Sequence, residues 1–257
     1  MTALPWLDPR RAPHFPNPGE ALEEPPGLLA AGGRLSPEWL LKAYSAGIFP
    51  WFDERSPILW WSPDPRMVLL PGELHISRRL ARRLRRPDYR ISLDQAFDQV
   101  IAACADTRLR PDQDGTWITA EMRDAYQTLH QLGHAHSIEV WQGDELIGGL
   151  YGVGIGRAFF GESMFSRQRD GSKIAMAWLD TQFQAWGMAL MDCQIDNPHL
   201  RRMGAKNLPR EDFLARIACA TASTLPEQAW HRLHVPDCCR SGDNSDRQLD
   251  KPETWQA

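Results

Sequence analysis

The chain has 257 residues, 42% of them hydrophobic, which is enough length and apolar content to bury a large core and says globular. Lys plus Arg number 29 against 33 Asp plus Glu, a net charge of −4, so bulk charge gives no hint of a polyanionic partner and any such hint must come from local clustering. The 5 cysteines are odd in number, form no Cys-x-x-Cys pair and sit in a chain too large to need staples, which reads as a reducing cytoplasm. No basic-then-apolar leader opens the chain and no apolar run of about 18 residues occurs, so export and membrane spanning are not expected. His231, His234, Cys238 and Cys239 have a spacing that could hold zinc but lack a clean ligand pattern, and no metal is expected.

Prolines at 5, 9, 13, 16, 18, 25 and 26 argue against a long helix or a central strand over residues 1–34, which reads as an extended arm lying on a folded body. Ser36-Pro37-Glu38 predicts a helix start with Ser36 as N-cap, and Gly47 its end. Phe49, Trp51, Phe52, Trp60 and Trp61 follow in segments too proline-rich for regular structure. They read either as plugs between a small N-terminal unit and the body or as a stacking platform for a base. Met67 to Leu70 predicts a short buried strand. The next helix, Ser77 to Arg86, carries arginines at 78, 79, 82, 83, 85 and 86 with Leu80 and Leu84 inward and no acidic residue interleaved, the pattern of a phosphate-binding face.

A strand is predicted over Tyr89–Leu93, with Asp94 as N-cap of a helix over Ala96–Ala105. Trp117 sits on the entry to a helix over Ala120–Leu132, with Thr119 as N-cap and Gly133 as stop. His136–Trp141 and Glu145–Tyr151 flank Gly143-Asp144, the signal of a hairpin. The glycines crowded between 148 and 156 fit strand bulges better than a phosphate loop. One more helix is predicted over Arg210–Ala220, then a segment around Trp230–Val235 and a polar, disordered tail from Arg240. The whole reads as α+β with a mixed sheet.

The stretch from Phe159 to Gly204 organises the chemistry. Two apolar runs studded with polar residues, 159–166 and 191–200, bracket a helix over Lys173–Trp186 that Gly187 stops. Strand alternation puts Asp192 and Gln194 on one face. Burying that carboxylate and amide without function costs about 1–3 kcal/mol per unmatched group, so a site is the preferred reading; capping of the Asn197-Pro198 turn is the alternative.

Ala43-Tyr-Ser-Ala-Gly-Ile-Phe-Pro-Trp-Phe52, Trp60-Trp-Ser-Pro-Asp-Pro-Arg66, Gly115-Thr-Trp-Ile-Thr119, Gly133-His-Ala-His-Ser-Ile-Glu-Val-Trp141, Gly161-Glu-Ser-Met-Phe-Ser166 and Asp192-Cys-Gln194 together closely resemble the bacterial leucyl/phenylalanyl-tRNA-protein transferase family, over about residues 14–236. The resemblance implies an enzyme that moves Leu or Phe from aminoacyl-tRNA to the N-terminal Arg or Lys of a protein, marking it for degradation. It implies a small N-terminal domain (residues 1–66) and a larger GNAT-like catalytic domain (67–239), followed by the tail (240–257). It further implies catalytic roles for Asp192 and Gln194, a site role for Glu162, adenosine stacking by Trp51 and Trp117, and an apolar side-chain pocket at Leu150, Phe159, Met176, Leu179 and Met191; Asn197 is expected among the substrate-binding residues as well. Leu179 stands where an aromatic is familiar in the family and Leu150 where Met is, which bears on the ranking of Leu, Phe and Met. The aminoacyl ester is already activated, so no cofactor is demanded.

Two other readings are open. Gln168-Arg-Asp-Gly171-Ser-Lys173 partly matches the loop that holds coenzyme A in acetyltransferases, but fails at its last position. A non-enzymatic RNA-binding module would use the arginine helix and the tryptophans but leaves Asp192 and Gln194 without a purpose.

Overall fold

The computed structural model describes residues 4–86, 88–109, 116–227, 229 and 230. The chain's punctuation builds two sheets. The smaller is 4-stranded, from Trp6–Leu7 (β1), Leu28–Gly32 (β2), Phe49–Pro50 (β3) and Leu59–Trp61 (β4), in the order β1-β2-β4-β3. The expected arm therefore contains a strand inside a sheet. After Pro26 the run Leu28–Gly32 is free of proline and wholly buried, so its N–H groups can pair on both edges. The aromatic segments likewise contain short strands, because β3 and β4 pair with each other.

Helix α1, Pro37–Ser45, links β2 to β3. Ser36 occupies its N-cap position in extended conformation but makes no side-chain cap bond, and Gly47 takes φ 73° just past its end.

The larger sheet is 7-stranded and mixed: Arg66–Leu69 (β5), Arg90–Leu93 (β6), Ala135–Gln142 (β7), Glu145–Ile155 (β8), Ala158–Ser166 (β9), Leu190–Gln194 (β10) and Lys206–Leu208 (β11), in the order β11-β5-β10-β9-β8-β7-β6. The hairpin at Gly143-Asp144 is β7–β8. The crowded glycines lie in or just after β8, whose pairing shifts register beside Gly152.

Helices Arg78–Leu84 (α2), Phe97–Ala105 (α3), Ala120–Gln131 (α4), Gly171–Trp186 (α5), Pro198–Arg202 (α6) and Arg210–Thr221 (α7) are the other α-helices among the described residues. Thr119 caps α4 as expected, its Oγ1 accepting from Met122 N at 3.2 Å. Asp94 does not cap α3. Its carboxylate takes His136 Nδ1 and Ser137 N, both at 2.7 Å, and buried Glu139 instead accepts from the backbone N–H groups of Gln95 and Ala96. Burial pushes the Glu139 carboxyl up to about 7, against the lowering effect of the hydroxyls of Ser137 and Ser92 and of those N–H groups.

One apolar cluster runs from Leu7, Trp39 and Trp60 through Tyr126 and Phe160 to Ile217, so the small sheet, α1, α4 and α7 close on one side of the large sheet. A second, from Met67 through Phe159, Met176 and Phe183 to Trp230, fills the space under α5. At about 1.5–3 kcal/mol per buried large side chain, these clusters supply the driving force. Strands β9 and β10 are parallel and α5 joins them, which brings the two polar-studded runs side by side. Gly148 and Gly171 permit this: a Cβ on Gly148 would lie 2.5 Å from Gly171 Cα.

Gly115, the possible zinc ligands His231, His234, Cys238 and Cys239, and the tail from Arg240 lie outside the described residues. Among the described residues no group of three or more His, Cys, Asp or Glu could hold a metal, and no helix is long and apolar enough to cross a membrane.

Candidate active site

A cleft of about 670 Å³ opens between β8, β9, β10, the start of α5 and α6. Glu162 on β9 and Gln194 at the end of β10 meet in it. Leu150, Met176 and Met191 form apolar wall, and Asn197 and His199 stand at the α6 side. Gly161 leaves room for the wall, since a Cβ there would sit 2.4 Å from Met191 Cε.

Glu162 is nearly buried and fully bonded. Tyr44 OH of α1 donates to Oε1 at 2.7 Å, Tyr126 OH of α4 to Oε2 at 2.8 Å, and Gln194 Nε2 to Oε1 at 2.9 Å; the two tyrosine hydroxyls also touch each other. Burial pushes the carboxyl up to about 7; the tyrosine hydrogen bonds pull the other way, the charge of Asp192 adds to the rise and the Gln194 bond opposes it. Burial beside the Glu162 charge also holds both phenols well above their usual range, so they act as donors near neutrality.

Asp192 and Gln194 are not side by side. The register of β10 on β5 slips between Asp192 and Gln194, and Gln194 adopts φ 64°. This bulge turns the Gln194 side chain into the cleft beside Met191 and Cys193, while Asp192 stays on the opposite face and lines no part of the cleft. The expectation of one shared face fails because alternation holds only through regular pairing.

Asp192 instead forms a two-pronged ion pair with Arg66 at the start of β5, Nε–Oδ1 2.8 Å and Nη2–Oδ2 2.7 Å, both side chains fully buried. The Arg66 guanidinium lies over Phe49 at 4.7 Å and Phe213 at 4.6 Å. Asp192 Oδ1 also accepts from the backbone N–H of Gln194, at 2.9 Å. Thus Asp192 does not hold the Gln194 amide group; it holds the bulge that aims it.

The other expected residues disperse. Phe159 is fully buried, stacked on Trp230 at 5.3 Å and outside the cleft. Leu179 lines a small void of about 10 Å³ behind Met176 and Met191. Trp51 is 41% exposed and packs on Trp61 at 5.5 Å, and Trp117 is half-buried against the core; neither lines the cleft. Asn197 borders it, but its Oδ1 caps α6 by accepting from His199 N at 2.8 Å.

On α2, Arg79 pairs with Asp170 at 3.0 Å and Arg83 with Asp88 at 2.5 Å while lying over Tyr89. The lack of interleaved acids within the helix hid both partners, Asp88 just beyond its end and Asp170, 91 positions on from Arg79. Arg78, Arg82, Arg85 and Arg86 are exposed, without an ion pair among the described residues.

Sequence reasoning gave no role to Arg66, Tyr44, Tyr126 or His199. The tyrosines carried a usable signal. Tyr126 falls on the inward stripe Met122-Ala125-Tyr126-Leu129, where a buried hydroxyl demands a partner.

The family model described as leucyl/phenylalanyl-tRNA protein transferase matches residues 68–218, and the one described as its N-terminal domain matches 33–64. The chain belongs to the leucyl/phenylalanyl-tRNA protein transferase family. A relative so named from Anaeromyxobacter sp. (strain K) is 57% identical over 220 residues, 86% of this chain and 93% of that protein. Another from Alkalilimnicola ehrlichii is 58% identical over 233 residues, 90% of this chain and 89% of that protein. Among solved structures, a GCN5-related N-acetyltransferase from Kribbella flavida aligns with 66% of this chain and 60% of its own at 12% identity and a TM-score of 0.34, too distant to carry an argument. Within the family, the α+β architecture with a mixed sheet stands as expected, while the small N-terminal sheet was not foreseen.

Proposed function

We propose that this chain is a cytoplasmic aminoacyltransferase that moves Leu or Phe from aminoacyl-tRNA to the N-terminal Arg or Lys of acceptor proteins. The observation that carries this reading is the cleft in which Gln194, held by Glu162, adjoins the apolar wall of Leu150, Met176 and Met191. The wall suits an uncharged Leu or Phe side chain, and the amide suits an amine nucleophile. The division into an N-terminal domain of residues 1–66 and a catalytic domain of 67–239 is part of the same proposal.

The chemistry asks for positioning and charge stabilisation, because the ester is already activated. Gln194 donates through Nε2 to Glu162, which leaves Oε1 as the acceptor atom of this amide. That oxygen can accept an N–H of the incoming α-amine and aim the lone pair at the ester carbon. The Glu162 carboxylate, one bond further on, stabilises the positive charge that grows on nitrogen. Asp192 acts through the bulge and is a positioning residue. A direct test offers radiolabelled leucyl-tRNA with peptides beginning Arg or Glu. Label is expected on the Arg peptide alone; label on neither would refute the reading.

A pH profile follows from Glu162. A folded-state value of about 7 against an ordinary value of 4.5 means that the native site binds the extra proton between those limits. This group's contribution to stability is therefore full below about 4.5 and falls as pH rises to about 7. Activity runs the other way, since the carboxylate is the form that accepts from Gln194. The kcat/KM should rise through about 7 and again near the acceptor amine, about 7.7–8. In Glu162→Gln the lower limb should vanish and the upper remain; a lower limb that persists would move it to another group.

On the RNA side, the four exposed arginines Arg78, Arg82, Arg85 and Arg86 are proposed to meet the tRNA backbone. Replacing them by Ala should weaken tRNA binding and flatten its log–log salt slope by about 0.9 for each phosphate no longer neutralised, while Arg79→Ala and Arg83→Ala move it less. A titration with unchanged slope would remove α2 from the footprint. Trp51 and Trp117 are proposed as adenosine-stacking rings, and each Ala variant should lose about 1–3 kcal/mol of affinity for a 3′-aminoacyl adenosine analogue. Unchanged analogue binding alongside a lowered melting temperature would make them packing residues.

A further inference from the structure

A track of cations leads from α2 to the cleft. Asp170, its side chain 8% exposed at the start of α5, holds Arg79 of α2 at 3.0 Å and Lys173 of α5 at 3.5 Å, so the carboxylate is shared by two cations. Lys173 follows Ser172, which lines the cleft, and His199 lines it from α6. Exposed Arg202 ends α6 without an ion pair among the described residues, while Asp196 is occupied by Arg201 and Asn207. Among the described residues the mouth on this side is therefore net positive.

We propose that Lys173, His199 and Arg202 form a phosphate seat at the cleft rim, which takes the 5′-phosphodiester of the terminal adenosine as the aminoacylated end enters. This rests on the donor being an aminoacyl-tRNA. That adenosine carries a phosphodiester one sugar away from the ester, whereas a basic acceptor terminus would be repelled by the same rim. His199 and Arg202 stand three residues apart on α6 and so share a face of it, and burial, then the charges of Lys173 and Arg202, hold the His199 imidazole below its ordinary range. The seat also joins the proposed α2 contacts to the cleft as one continuous path for a strand.

The test uses 3′-deoxy-3′-leucylamido-adenosine with and without a 5′-methyl phosphate, titrated against the unaltered chain and against Lys173→Ala with Arg202→Ala. Both side chains are at least partly exposed, so the double variant should fold; its melting temperature checks this. The unaltered chain should bind the phosphorylated analogue about tenfold tighter, as one charge-assisted contact provides, and the advantage should shrink with salt. In the double variant that advantage should fall below about twofold, with the unphosphorylated analogue bound as before. An advantage that survives in the variant, or none in the unaltered chain, overturns the seat while leaving the transferase reading intact. Binding of neither analogue overturns both. Displacement of the analogue by equimolar coenzyme A would reassign the rim to a diphosphate-bearing acyl donor.

Discussion

Arg66→Met should lower stability by about 3–5 kcal/mol, because it strands the Asp192 carboxylate in a fully buried site without its counter-charge. For a chain of this size that is a fall of roughly 10 °C in Tm, readable by calorimetry. Asp192→Asn should be similarly harmful, since an amide cannot accept both guanidinium bonds and leaves Arg66 uncompensated. The informative variant is the pair Arg66→Met with Asp192→Leu. An apolar replacement of a buried ion pair often costs little or even stabilises, so Tm should recover. Activity should stay low, because the Gln194 N–H is then without Asp192 Oδ1 and the bulge is no longer held. A double variant with restored Tm and restored kcat would show that the ion pair is structural only.

Gln194→Ala should reduce kcat by about 100- to 1,000-fold, the usual loss when one preorganised polar contact to the reacting centre is removed. Its side chain is only partly buried, so stability should move by less than about 1 kcal/mol. Affinity for aminoacyl-tRNA should be unchanged, because the contact to the amine forms during attack. Combined with Glu162→Gln the losses should be non-additive, since the two side chains share one hydrogen bond. Losses that multiply in full would place Glu162 in a separate role, such as contact with the acceptor's basic side chain.

Much of the fold was legible where local chemistry decides. Thr119 and Gly133 bound α4, Gly187 ends α5 in left-handed conformation at φ 67°, and Gly143-Asp144 turns β7 into β8. What escaped was set by distant pairing. Leu28–Gly32 is a strand because β1 and β4 flank it, whatever the prolines before it suggest. Asp192 and Gln194 look alike in the sequence, but the slip of β10 against Met67 and Val68 sends them to opposite faces. Arg66, the partner that explains Asp192, stands 126 positions away. Gln194 could be singled out from the residues and Glu162 from the family resemblance, whereas the tyrosines that fix Glu162 come from two helices outside the 159–204 stretch. The arginines of α2 show the same limit, since Asp170 reaches Arg79 from 91 positions on.

The central claim is that a Gln194 aimed by the bulge and held by Glu162 positions the acceptor amine for attack on an aminoacyl-tRNA ester. Single-turnover transfer of leucine from leucyl-tRNA to a peptide with N-terminal arginine, run side by side for the unaltered chain and Gln194→Ala with the tRNA Kd measured for each, tests it most directly. The account predicts peptide labelling by the unaltered chain, a rate about 100- to 1,000-fold lower in the variant, and the same Kd for both. No transfer by the unaltered chain, or equal rates for the two, would contradict it.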